Sequence, residues 1–250
     1  MRTQTITQKL ANPTVFMDLS VRILPWLSSL AAILIIYGLT LGFATPPDYQ
    51  QGQTVKIMFI HVPAAWLSMM AYGLIAVSSF GLLVFRHPLA DVSAKAAAPI
   101  GAVFTLIALV TGSLWGKPTW GTYWQWDARM TSVLILFFLY LGLMALRSSI
   151  EEETLASKLT AVLALVGIVI LPVIKFSVSW WNTLHQPAGV MKGALDPVFL
   201  KPLLISAIGF SLLFFALHMK GMRNEIIRRR VKARQLKEVD RAAHAQGGEA

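Results

Sequence analysis

The sequence predicts an all-α fold: a polytopic integral membrane protein with six transmembrane helices and both termini cytoplasmic. Three observations predict it. The 250-residue chain is 56% hydrophobic and only 14% charged, with a mean hydropathy of +0.62; a soluble domain carries roughly 25% charged residues. Six runs reach the roughly 17–25 apolar residues that a bilayer requires. Lys and Arg fall unevenly between alternate connections, as the positive-inside rule expects of a membrane chain.

The first run, about 22–44, is too long for a signal-peptide core of about 7–15 residues. A weak small-residue cleavage pattern near Gly42 and Ala44 is present, but the run reads as an uncleaved first span. Further runs cover 58–85, 97–115, 130–147, 159–179 and 199–219. They are continuously apolar rather than alternating, which implies helices and not a barrel. Pro63 is compatible with the first turn of the second helix, and Pro172 should kink the fifth. No internal repeat is visible.

One set of segments comprises the N-terminus, 86–96, 147–158 and the C-terminal tail. It holds Arg2, Lys9, Arg22, Arg86, Lys95, Arg147, Lys158 and nine more basic residues from Lys220 to Arg241. The other set holds Lys56, Lys117, Arg129, Lys192 and Lys201, while Lys175 lies within the fifth span. This asymmetry places both termini in the cytoplasm. The chain divides into a membrane domain, 1–220, and a basic cytoplasmic tail, 221–250. Arg228-Arg229-Arg230 in that tail reads as a solvated anchor for anionic lipid, and Glu151-Glu152-Glu153 as a solvated turn. The net charge of +10 does not imply a nucleic-acid partner, because the basic residues sit at the ends and in alternate connections.

Four of the eight tryptophans lie between Trp115 and Asp127, in the outward connection after the third span. Tryptophan favours places where one side is apolar and the other wet. A few at a membrane surface form an aromatic belt. A cluster with Gly116, Pro118 and Gly121 inside it reads better as a platform for a large flat ligand, covering 115–131. Of five histidines, His87, His218 and His244 fall on the cytoplasmic side. His61, at the start of the second span, and His185, after the fifth, share the outer face with the platform. Trp180 and Trp181 precede His185, so six tryptophans and two imidazoles converge there, with Trp66 one turn inside.

A flat apolar ligand with two open axial positions fits that inventory, and haem iron takes imidazole. Zinc usually needs three or four protein ligands. Asp48, Asp127 and Asp196 are on this face but have no helical ligand spacing, so zinc is the weaker reading. Arg129 best suits a haem propionate, since its guanidinium fork matches a carboxylate; Lys117 is a second candidate, beside Lys56 and Lys192. The alternatives for Arg129 are pairing with Asp127 or snorkelling. Having no cysteine, the chain has no disulfide, no thiolate site and no C-x-x-C-H attachment motif. A haem b electron carrier would place histidine pairs at two depths, and a small-solute transporter would need polar groups near the midplane or interrupted paired helices.

Three segments carry a family resemblance: Trp-Gly-Thr-Tyr-Trp-Gln-Trp-Asp-Ala-Arg-Met-Thr over 120–131, His61 in His-Val-Pro-Ala-Ala-Trp, and His185 in Trp-Trp-Asn-Thr-Leu-His-Gln. Over about 20–220 the chain resembles the haem-handling proteins of cytochrome c maturation that carry a tryptophan-rich WWD motif, and within them the CcmC (haem exporter protein C) family. Tyr123 stands where Trp is common, and Met130 where Leu is common. Larger relatives carry extra spans and histidines that this chain lacks.

The resemblance implies that His61 and His185 are axial ligands to non-covalent haem b on the periplasmic face of the bacterial inner membrane. Trp115, Trp120, Tyr123, Trp124 and Trp126 would hold the porphyrin. Arg129 would meet a propionate, and Asp127 would orient the loop or contact a partner. It also implies transfer of haem to a periplasmic chaperone, CcmE, beside an ATP-binding subunit CcmA and membrane subunits CcmB and CcmD. The chain has no G-x-x-x-x-G-K-[ST] loop, so ATP hydrolysis would belong to a partner and no enzymatic activity is expected of this subunit.

Overall fold

The computed structural model describes residues 12–181, 183–185 and 195–247. Asn12 caps the first helix, its side chain accepting from the Thr14 N–H at 2.9 Å, with Pro13 at the first helical position. Helix α1, Pro13–Phe43, therefore begins before the apolar run that marks the first span. A short 3₁₀ turn, Gln53–Ile57, leads into α2, Met58–Phe85, with the limits the apolar run predicts. Then follow α3 (Ala90–Trp120), α4 (Ala128–Ser148), α5 (Glu153–Gly167), α6 (Ile170–Trp180) and α7 (Pro197–Gly247). With α5 and α6 taken together, six helical stretches are long and apolar enough to cross a membrane. The described residues contain no strand.

Three departures from the expected spans have identifiable causes. First, α3 does not stop at Trp115 but runs on to Trp120. Gly116 and Pro118 resemble turn residues, yet a Cβ at Gly116 would stand 2.7 Å from Trp120 Cε3, so the bare glycine is where that ring lies. The stop is Gly121 at φ 76°, whose N–H bonds the Lys117 carbonyl at 3.0 Å. The tryptophan-rich connection is thus half helix and half loop.

Second, the fifth span is broken between Gly167 and Ile170. Pro172 has no N–H for the carbonyl of Ile168, and its ring would collide with it. The break falls there, closed by a tighter bond from Leu171 N to Ile168 O at 3.0 Å. Third, the basic tail continues α7 as helix to Gly247. Buried Glu225 accepts from Arg228 and Arg229, one turn on, each at 2.7 Å, and from Lys95 at 3.0 Å. Arg228 and Lys232 also reach Glu153, at 2.9 and 3.4 Å. The acidic run is tied to α7 at this residue, where the sequence suggested a solvated turn.

The α2–α3 hairpin is central. Against it pack α4 and α5 on one side and α7 on another, and α1 lies along α7. Small residues let α1 and α7 approach: a Cβ at Gly38 would stand 2.6 Å from Ser206 Oγ, and one at Gly209 2.8 Å from the Ile35 nitrogen. The core runs through Leu67, Tyr72 and Ile75 of α2, Ala98 and Phe104 of α3, Tyr140 of α4 and Phe214 of α7. Buried Tyr140 donates to the Ser68 carbonyl at 2.6 Å, which satisfies its hydroxyl inside the apolar layer.

The up-and-down path sorts the connections. One end gathers residues 44–57, the loop 121–127 and residues 183–185. The other gathers the start of α1, 86–89, 149–152 and the extension of α7. This second end is locked by Asp91, which accepts from both Arg147 and Arg229.

Candidate functional site

The first end holds a partly open cavity of about 140 Å³. Its wall is mostly apolar and includes His61, Ala65 and Met69 of α2, Ala108, Gly112, Trp115 and Trp120 of α3, Met130 and Val133 of α4, and Ile174 of α6. His185, from the segment after α6, and Arg129 also line it, as do the polar side chains of Gln51, Ser68 and Thr119. His61 and His185, 124 positions apart in the sequence, thus meet on one cavity.

His61 is fixed from α3. Its Nδ1 lies 3.0 Å from Thr111 Oγ1, and its ring meets the Trp115 ring edge-on at 5.6 Å and 83°. The Trp115 indole N–H donates to Gln51 Oε1 at 2.7 Å, which anchors the indole to the connection before α2. Gly112 leaves room for the imidazole, since a Cβ there would stand 2.9 Å from His61 Cε1.

His185 is positioned by a relay. Its backbone N–H donates to Thr183 Oγ1 at 2.9 Å, and the Thr183 hydroxyl donates to Asp127 Oδ2. The other oxygen of Asp127 caps α4, accepting from the Met130 N–H at 2.7 Å. Asp127 therefore couples the start of α4 to the histidine segment, and it is not part of the cavity wall. Arg129, in the first turn of α4, donates from Nε to Ser177 Oγ of α6 at 2.9 Å. It has no ion pair with Asp127 among the described residues, as the spacing of two along a helix foretells.

The remaining expected residues lie beside the cavity. Trp124 and Trp126 meet edge to face at 5.4 Å, and Trp126 is 76% exposed. The indole N–H of Trp124 is buried without a hydrogen-bond partner. Tyr123 is 55% exposed with the Lys117 ammonium 5.1 Å above its ring; that ammonium also donates to the Gly121 carbonyl at 2.9 Å. Lys56 donates to the Phe43 carbonyl at 2.8 Å. Trp66, Trp180 and Trp181 are exposed and off the cavity wall, with Trp180 stacked on Phe176. Lys192 lies outside the described residues.

Sequence reasoning missed Gln51, Thr111, Gly112, Ser177 and Thr183. A helical signal existed for two of them. Thr111 and Trp115 are four apart and share a face of α3, and Gly112 precedes Trp115 by three. Gln51, Ser177 and Thr183 act through contacts between elements, which no local pattern announces.

A family profile described as heme exporter protein C matches residues 6–237. The chain is 61% identical over 237 residues to the heme exporter protein C of Bradyrhizobium diazoefficiens, covering 94% of this chain and 90% of that protein. It is 48% identical over 227 residues to the Paracoccus denitrificans protein of the same name, covering 89% and 94%. With the Escherichia coli K12 protein of that name it shares 48% identity over 205 residues, covering 82% and 84%. By its matched length, its six spans and the histidines brought to one cavity, the chain belongs to the heme exporter protein C family.

Proposed function

We propose that this protein handles haem in cytochrome c maturation, holding haem b non-covalently between His61 and His185 and passing it to a haem chaperone of the CcmE kind. The observation that carries this reading is the shared cavity: two imidazoles, two indoles and one guanidinium on a mostly apolar wall whose other polar side chains are Gln51, Ser68 and Thr119. Haem asks for that set, with nitrogen ligands for iron, flat apolar contact for the macrocycle and a cation for a propionate. Among the described residues no three His, Cys, Asp or Glu stand close enough to share a metal ion.

The cavity of about 140 Å³ is smaller than the roughly 300–1,000 Å³ of pockets that enclose a ligand whole. It grips part of a macrocycle and leaves the rest at the opening, which suits a ligand that is to be handed on. Trp124, Trp126 and Tyr123, in the loop that follows Trp120, offer aromatic surface outside the wall. The charge asymmetry supports an orientation with the site on the non-cytoplasmic face, which in the proposed bacterial inner membrane is the periplasmic one. CcmA, CcmB and CcmD are the proposed partners, CcmA supplying the ATP hydrolysis for which this chain has no phosphate-binding loop.

The test is an absorption spectrum of detergent-purified protein produced with haem supply and its partners. Wild type should show the sharp reduced-state bands of bis-imidazole haem. His61→Ala and His185→Ala should weaken them, and His87→Ala, at the opposite end, should not. A haem-free wild type would overturn the reading in favour of solute transport. Bands that survive loss of both His61 and His185 would overturn the ligand assignment.

A further inference from the structure

We infer that Thr111 is a positioning residue that fixes the tautomer of His61, so that Nε2 is the nitrogen presented to a metal. This rests on the proposed haem reading. The argument is one of proton accounting. The Thr111 hydroxyl lies 2.6 Å from the Ile107 carbonyl oxygen. Two oxygens approach that closely only with a hydrogen between them, and the carbonyl has none, so the hydroxyl proton points to Ile107. A threonine hydroxyl has one proton and two lone pairs. Towards His61 Nδ1, 3.0 Å away, it therefore acts as acceptor, and Nδ1 carries the hydrogen. The lone pair of the neutral ring then resides on Nε2.

The rest of the seat prevents the ring from escaping this arrangement. Gly112 lies against the Cε1 edge of the ring, the Trp115 ring stands across it at 83°, and Trp115 is pinned by Gln51. Residues 111, 112 and 115 thus form one surface of α3 that sets position, rotation and protonation of a histidine on α2. Metal-binding histidines are characteristically oriented by a second-nitrogen hydrogen bond of this kind. Here its acceptor is a neutral hydroxyl oriented by the helix backbone and not a carboxylate, so no negative charge is placed next to the ring.

The experiment compares Thr111→Val, which keeps the branched shape, with Thr111→Ser, which keeps the hydroxyl. Haem affinity and the reduction potential of the bound haem are measured in the full-length protein. Thr111→Val should lower haem affinity about 10–100-fold and raise the potential, because a ring without its acceptor donates less to iron. Thr111→Ser should restore both. A Val variant with wild-type affinity and potential would overturn the inference. His61→Ala, measured alongside, separates the two levels. If it loses haem while Val is unchanged, only the role of Thr111 fails; if it keeps wild-type bands, His61 is not an iron ligand and the inference falls with that assignment, while a haem-free wild type would sink the haem reading itself. Should the Val variant not accumulate, Thr111→Ala beside Thr111→Ser provides the same comparison.

Discussion

Gly112 carries a residue-scale prediction of its own. A Cβ at this position would stand 2.9 Å from His61 Cε1, closer than carbon atoms pack, so Gly112→Ala should turn the imidazole out of its seat. Overpacking costs about 1–3 kcal/mol, while Ala gains about 0.8–1 kcal/mol over Gly as a helix former. The net loss of stability should therefore stay below about 2 kcal/mol, so the variant should remain folded in detergent while the haem bands weaken strongly. Asp127 makes a second prediction. Asp127→Ala removes both a cap, worth about 0.5–2 kcal/mol, and the acceptor of Thr183. A double-mutant cycle of Asp127→Ala with Thr183→Val, read on haem affinity, should show a coupling of about 0.5–3 kcal/mol; strictly additive effects would mean the relay to His185 does no positioning. The histidine pair was legible in the sequence because topology alone sorts histidines by side. Thr111 and Thr183 were not, because a hydroxyl gains its meaning from a partner on another segment and leaves no periodic trace.

Elements obey the same division. The interiors of the spans follow from hydropathy, and α2 begins and ends where its apolar run does. Ends are set by single residues whose effect depends on neighbours: Asn12 starts α1 early, Gly121 and not Gly116 stops α3, and Glu225 with its arginines carries α7 past the apolar run. Pro172 was read correctly as a disturbance, but its outcome is a full break at Ile168 and Val169. That break bears on the cavity, since α6 carries Ile174 of its wall and Ser177, which holds Arg129. Pro172→Ala restores an N–H and allows α5 and α6 to join as one straight helix. Ser177 would then leave Arg129, and the segment bearing His185 would start from a different place. The expected outcome is unchanged or higher thermal stability together with lower haem retention. An unaltered haem spectrum would show that the break has no part in placing the site.

At the scale of the whole molecule, the cavity and the charged network lie at opposite ends of the same helices. The cavity end has no ion pair among the described residues: its charged groups Asp127, Arg129, Lys56 and Lys117 bond hydroxyls and backbone groups. The other end is built from charge, where Asp91, its side chain 9% exposed, serves both Arg147 and Arg229, and Glu225 gathers Lys95, Arg228 and Arg229 from two helices. Breaking such a pair from one side leaves an uncompensated charge and costs about 3–5 kcal/mol, whereas replacing both partners by apolar residues of similar size is often close to neutral. Asp91→Asn should therefore destabilise clearly, by less than that full range because Arg229 is 31% exposed and water screens its share. The double change Asp91→Leu with Arg147→Met should restore part of the loss and no more, since Arg229 would still lack its second acceptor. Thermal unfolding in detergent measures both. The haem spectrum of the folded fraction should be the same in wild type, single and double variants, because no side chain of this network reaches the cavity wall. If Asp91→Asn instead altered the haem bands at temperatures where the protein is folded, the two ends would be coupled through the α2–α3 hairpin, and the charged end would be a lever on haem release rather than a fastening.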